Sequence, residues 1–124
     1  MTPVDWVLVA VAGALGAPAR YVVDTLVEER LGGTFPYGTL VVNVSGSLIL
    51  GLLTGLAMYH DLARGAKFVL GTGFVGAYTT FSTFSFETLG LFEDGDTRGG
   101  LANIAMSLLA GAAAATTGLA LAAI

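Results

Sequence analysis

Long apolar stretches alternate with short charged segments along this chain. The uncharged stretches Tyr37–Tyr59 and Gly99–Ile124 both exceed the roughly 20 residues that a helix needs to cross a bilayer. Phe68–Phe86 is a third such stretch, which Glu87 closes before an apolar tail that reaches Phe92. The pattern therefore predicts at least three membrane-spanning helices.

The first span is less regular than the others. Trp6–Ala19 offers only about 14 uncharged residues, so a spanning helix must tilt or continue through Arg20 towards Val27. Four spans, at about 4–27, 37–59, 68–92 and 99–124, then fill one transmembrane domain. Because each connection has only a few residues, we expect helices adjacent in the sequence to pack antiparallel.

Composition supports an all-α, multi-pass membrane protein. Hydrophobic residues make up 55% of the chain and charged residues 11%, whereas a soluble domain has about a quarter charged residues. The absence of cysteine excludes disulfides and thiolate metal sites. Five basic against nine acidic residues exclude a basic patch for nucleic acid. The short connections leave no room for a soluble enzyme domain, and the leader lacks the positive charge of a signal peptide.

Basic residues are nearly balanced between the two sides of the predicted bundle. Arg64 and Lys67 lie on the side of both termini, and Arg30 and Arg98 lie on the other, with Arg20 near that end of span one. Since excess Lys and Arg normally fix the cytoplasmic side, this balance favours insertion in both orientations. Two opposite copies could form an antiparallel dual-topology dimer. The alternative is a fixed topology, set by a partner or by a charge bias too small to see in the sequence.

One face of span two is polar. Thr39, Asn43, Gly46 and Ser47 fall at i, i+4, i+7 and i+8, a spacing that places them on one side of a helix. The Asn43 amide offers two donor hydrogens and one acceptor oxygen. Two interpretations stay open: a pore-lining ligand, or a hydrogen bond that joins two helices.

The centre of span three is a poor continuous helix. Three glycines precede an alternation of Thr or Ser with Phe, and we expect a break near Gly76–Thr80. Carbonyls exposed at a break could hold a cation, and such backbone is tolerated in a membrane only when buried or lining a cavity. Phe81 and Phe84 share a helical face, and their electropositive ring edges could face an anion or simply pack.

A few polar residues outside this centre have two interpretations each. Arg20 and Asp24 are four residues apart, which allows a local ion pair or a positive vestibule. Glu87 either caps the membrane edge or is a buried carboxylate that binds protons or cations. Asn103 and Ser107 belong to a weakly polar face of span four that could join a polar path.

These residues resemble those of the Fluc (CrcB) fluoride channels, small four-helix membrane proteins of microbes. The resemblance rests on Gly13–Tyr21, Gly38–Gly46, Gly73–Phe84 and Glu87. The string Thr-Thr-Phe-Ser-Thr-Phe, which ends at Phe84, is its most specific part. Span four matches in character only.

The resemblance implies a fluoride-selective channel that exports fluoride passively across the cell membrane. It implies an antiparallel homodimer with two pores, although pairing with a related chain stays open. In such a channel Asn43 lines the pore, Phe81 and Phe84 turn their ring edges to the ion, and Ser82 and Thr83 belong to a polar track.

The resemblance also implies a structural Na⁺ at the dimer centre. Its ligands would be the backbone carbonyls of Gly76 and Thr79, while Arg20 would lie near the aqueous vestibule. The role of Glu87 stays open. One alternative is a small four-helix, proton-coupled cation exporter, which needs a carboxylate deeper in a span than Glu87. Another is a structural membrane subunit that carries no flux.

Overall fold

All regular elements of the chain are helical. The computed structural model describes all 124 residues, Met1–Ile124. The elements are α1 (Pro3–Leu31), α2 (Tyr37–Tyr59), α3 (Arg64–Lys67), a π-helical segment (Phe68–Val75), α4 (Gly76–Tyr78), α5 (Ser82–Glu93) and α6 (Thr97–Ala122). The predicted all-helical architecture is confirmed, and α1, α2 and α6 are each long and apolar enough to cross a membrane.

The third span consists of several pieces. Helix α3, the π-helical segment and α4 follow one another directly, and α5 begins after an interruption at Thr79–Phe81. We call these pieces together the broken span. Thr79 is extended, with φ −82° and ψ 162°, so the α-helix cannot continue through it. The break that the Gly and Thr pattern predicts near Gly76–Thr80 is therefore present, at the end of that range.

Local capping sets the start of α1. The Thr2 hydroxyl accepts a hydrogen bond from the Asp5 amide at 3.3 Å, and the Asp5 carboxylate accepts one from the Thr2 amide at 2.9 Å. Pro3, which has no amide hydrogen to satisfy, occupies the first turn. The helix then continues through Pro18 and Arg20, as the short first apolar stretch requires.

Glycine allows the helices to approach closely in two parallel pairs. Helix α2 packs along α6, where a β-carbon on Gly51 or Gly118 would collide with the facing backbone. Helix α1 packs along the first half of the broken span, where Gly16 and Gly73 have the same role. Helices adjacent in the sequence consequently run antiparallel, as expected, although the most extensive contacts join helices that are not adjacent.

Candidate functional site: a polar cavity beside the helix break

A cavity of about 320 Å³ lies between α2, the break and α6. We call it the central cavity. Its polar and aromatic wall is formed by Asn43, Ser47, Thr79, Thr80, Phe81, Phe84 and Ser107. The polar face predicted for α2 turns towards the broken span, because Asn43 bonds to Thr80 and Gly46 lies directly against Thr79.

Asn43 holds the break by two hydrogen bonds. Its Nδ2 donates to the Thr80 carbonyl at 2.8 Å, and its Oδ1 accepts from the Thr80 amide at 2.8 Å. The side-chain amide thus satisfies both backbone groups of a residue that has left the helix. One Nδ2 hydrogen remains for the central cavity. Of the two interpretations of Asn43, the bond to another helix is therefore present, and it leaves one donor free.

The same contact leaves the Gly76 carbonyl without its helical partner. In a continuous α-helix the Thr80 amide would donate to Gly76, but here it donates to Asn43. The Thr79 carbonyl accepts from Arg20 Nη1 at 3.3 Å, which leaves its second lone pair free. Carbonyls of an unwound membrane helix are suitable Na⁺ ligands, so both oxygens of the expected pair fit that ion.

Thr80 starts the second half of the broken span, a role that sequence reasoning missed. Its Oγ1 accepts from the Thr83 amide at 3.1 Å, in the manner of an N-cap residue. The Thr80 hydroxyl in turn donates to Thr83 Oγ1 at 3.1 Å. The spacing of Thr80 and Thr83, three residues apart at the start of a helix, is the signal that could have indicated this cap.

The two phenylalanines that follow the break lie beside the central cavity. The ring centroids of Phe81 and Phe84 are 5.8 Å apart and the ring planes are tilted by 44°. Phe84 is half-buried, whereas 79% of the Phe81 surface is exposed. A single copy of the chain therefore leaves Phe81 without most of the packing that a large aromatic ring normally obtains.

A second cavity, of about 230 Å³, opens on the other side of the break, and we call it the vestibule. Arg20, Asp24, Thr39, Thr80 and Thr83 line it, and Thr80 also lines the central cavity. The local ion pair that the spacing of Arg20 and Asp24 allows does not form. Arg20 reaches the break instead, and the enclosed Asp24 Oδ1 has no hydrogen-bond partner.

Glu87 is bonded to α2 rather than being free at the membrane edge. Its Oε1 accepts from the Thr39 hydroxyl at 2.5 Å. The partly buried carboxylate thus joins the second half of the broken span to the polar face of α2, one helical turn before Asn43. This bond uses the Thr39 proton, so Thr39 has no hydrogen to donate into the vestibule.

Most hydroxyls near the break already donate a hydrogen bond within the chain. Ser47, Ser85 and Thr88 each donate to the backbone carbonyl four residues earlier in the chain. Thr83 accepts from Thr80, so its own proton is free, and the Ser107 hydroxyl makes no hydrogen bond within the chain. Ser82 Oγ lies 3.4 Å from Thr80 Oγ1 and donates to it, because the Thr80 proton already goes to Thr83. Besides the remaining Arg20 hydrogens in the vestibule, the donors open to a solute near the break are therefore few: the second Asn43 hydrogen and the hydroxyls of Thr83 and Ser107.

Two further polar contacts are structural. The Tyr78 hydroxyl lies 2.9 Å from Ser45 Oγ, whose own proton goes to the Val42 carbonyl, so Tyr78 donates to Ser45. This contact anchors the last residue before the break to α2. Asn103, only 1% exposed, donates to Thr88 at 2.8 Å and joins α6 to α5. Of the polar pair considered in span four, only Ser107 reaches the central cavity.

Sequence comparisons identify a protein family and several relatives that are similar to this chain. The family described as CrcB-like protein, Camphor Resistance (CrcB), matches residues 7–119. A Mycobacterium tuberculosis protein named fluoride-specific ion channel FluC 2 is 48% identical over 118 residues, which are 95% of this chain and 90% of that protein. A Symbiobacterium thermophilum protein named fluoride-specific ion channel FluC 1 is 50% identical over 119 residues, covering 94% of this chain and 96% of its own length.

Proposed function

The chain belongs to the CrcB-like family of ion channels, which are not enzymes, and we propose that it is a fluoride channel for passive export across the cell membrane. The observation that carries the proposal is the central cavity, where a few uncommitted hydrogen donors and two phenylalanine rings line one open groove. The relatives named fluoride-specific ion channels support the choice of ion.

The donors of this path suit a small, strongly hydrated anion. Thr83 would receive fluoride from the vestibule, and Asn43 and Ser107 would hold it in the central cavity. Ser82 lines neither cavity and would contribute to the polar track only through its contact with Thr80. Phe81 and Phe84 would present ring edges, which attract an anion less strongly than a fixed cation does. Conduction needs sites that bind well enough to admit an ion and weakly enough to release it. A chain of single donors meets both conditions, and its narrowness would exclude chloride.

We further propose that two copies in opposite orientations form the channel, with two pores per homodimer. The exposed Phe81 supports this, because a second copy would bury a ring that one chain leaves 79% exposed. The balance of basic residues between the two sides supports insertion in both directions.

The absence of cysteine makes the orientation directly measurable. Asp94→Cys, in an exposed turn, is labelled on intact cells with a membrane-impermeant maleimide, and Asp61→Cys serves as the matched position at the other end. We expect each variant to be labelled to about half of the amount reached after permeabilisation. Full labelling of one variant and none of the other would contradict dual topology.

A structural Na⁺ belongs to the same proposal. The carbonyls of Gly76 and Thr79 would hold it, and when bound it would supply a central positive charge that stabilises the broken backbone. Asn43 contributes indirectly, because it takes the amide that would otherwise cover the Gly76 carbonyl. Arg20 keeps the Thr79 carbonyl oriented and leaves one lone pair of that oxygen free.

The test of function is ion efflux from liposomes that contain the purified chain. With pH equal on both sides, we expect a fluoride gradient alone to drive electrogenic efflux, and a chloride gradient to drive none. Equal fluoride and chloride efflux would contradict a selective channel. Cation transport that requires a pH gradient and is lost in Glu87→Gln would instead identify a proton-coupled exporter.

A further inference from the structure

A third cavity opens near the end of the chain that carries both termini. It has a volume of about 340 Å³, and we call it the basic mouth. Its lining consists of Leu50, Arg64, Lys67, Phe68, Gly71 and Thr72. Two of its six residues are therefore cations, which stand three positions apart at the start of the broken span.

The basic mouth adjoins the central cavity. Leu50 lines both, just as Thr80 lines both the central cavity and the vestibule. The three cavities are therefore neighbours on a single chain, with Arg20 lining the vestibule and Arg64 and Lys67 lining the basic mouth. Basic residues at the edge of a membrane span often do no more than reach into the headgroup region. Here they also line a cleft that shares Leu50 with the central cavity.

The two charges are not neutralised within the chain. Neither Arg64 nor Lys67 makes a side-chain hydrogen bond, whereas Arg20 bonds to Thr79. The carboxylate that lies against this segment is that of Asp5, which packs beside Gly65 and already accepts hydrogen bonds from Thr2. The lining of the cleft itself holds two positive side chains and no negative one, and low-dielectric walls focus the field of such charges on the solution outside.

We propose that Arg64 and Lys67 form a second anion-attracting mouth of the fluoride path, at the opposite end from Arg20. This inference rests on the proposed fluoride channel. The pair raises the local fluoride concentration at the mouth, from which ions would pass Leu50 to reach the neighbouring central cavity. In an antiparallel dimer each face of the membrane would carry one such mouth.

The test compares fluoride efflux at low and high ionic strength. The variant Arg64→Gln/Lys67→Gln removes the mouth charges, and Arg30→Gln/Arg98→Gln removes two exposed charges that line none of the three cavities. At low ionic strength we expect the mouth variant to slow efflux about 3- to 10-fold and the control to leave it unchanged. In about 1 M sodium gluconate the difference should disappear, because screening shortens to about 3 Å. Arg64→Lys/Lys67→Arg should retain normal efflux.

Several results would overturn this inference. They are an unchanged rate in the mouth variant, an equal loss in the control variant, or a loss that is the same at every ionic strength and thus reports structural damage. If the double variant does not fold, Lys67→Gln alone tests the inference. We expect it to slow efflux by about half of the double variant's effect on a logarithmic scale. Absence of fluoride efflux in the unmodified chain would contradict the proposed function itself.

Discussion

Substitution of Asn43, whose side chain bonds to both backbone groups of Thr80, has the most specific expected result. Asn43→Ala deletes two hydrogen bonds of 2.8 Å to the Thr80 backbone and leaves an amide and a carbonyl without partners. Hydrogen bonds between membrane helices average about 0.6 kcal/mol and reach about 1.7 kcal/mol, so two of them contribute about 1–3 kcal/mol. That energy corresponds to a change of about 5- to 150-fold in the equilibrium between the break with both Asn43 bonds formed and the break without them.

Asn43→Asp keeps the shape of the side chain but should be more damaging to conduction. A carboxylate can still accept from the Thr80 amide, but its second oxygen faces the Thr80 carbonyl, where a donor is needed. It also places a negative charge in the path of an anion. We expect fluoride efflux below one-tenth of normal (about 1.4 kcal/mol or more) for Asn43→Asp and an intermediate rate for Asn43→Ala.

Asn103→Ala is the matched control for both variants. It removes one buried hydrogen bond of 2.8 Å from an asparagine that lines none of the cavities. Thermal unfolding in detergent should show a loss of about 0.6–1.7 kcal/mol, with normal efflux per folded protein. Normal efflux in Asn43→Asp would show that conduction does not need the Asn43 amide. An equal efflux loss in Asn103→Ala would show that any lost buried hydrogen bond has the same effect.

Three further predictions concern the rings, the helix contacts and the ion. Phe81→Ile should abolish fluoride efflux whereas Phe86→Ile, equally exposed at 79%, should retain it, and equal efflux in the two variants would remove Phe81 from the path. Gly51→Val should prevent stable folding because its β-carbon meets the Ala115 backbone, whereas Gly90→Ala, which has open space, should raise the unfolding temperature slightly, since alanine favours a helix by up to about 1 kcal/mol. Replacing Na⁺ with N-methylglucamine should lower the unfolding temperature of the purified protein, and an unchanged temperature would argue against the proposed structural ion.

Apolar run lengths predict the three long helices α1, α2 and α6, but not the division of the third span into several pieces. Segment 37–59 is uncharged throughout, and α2 covers those residues. Three glycines followed by β-branched and aromatic residues indicated the break, because such a segment gains little as a continuous helix. The π-helical winding of Phe68–Val75 was not predicted, since no local pattern distinguishes it from an α-helix with the same residues.

The contacts between the residues of the candidate site are harder to predict from the sequence than the long helices are. Periodicity predicts that Asn43 lies on a polar face. It does not predict the bond to Thr80, because these two residues are 37 positions apart and meet only through the packing of α2 against the broken span. The same limit applies to Tyr78 and Ser45. Spacing alone also allowed a pair between Arg20 and Asp24, whereas the proximity of the break gives Arg20 a backbone carbonyl instead.

The central claim, that copies of this one chain enclose a passage selective for fluoride, is tested most directly by electrical recording. The purified protein is incorporated into a planar bilayer with fluoride on one side and chloride on the other. We expect single-channel currents whose reversal potential lies at the limit set by fluoride alone, from either side of the membrane. A reversal potential near zero, or no current from protein that is folded and dimeric, would contradict it.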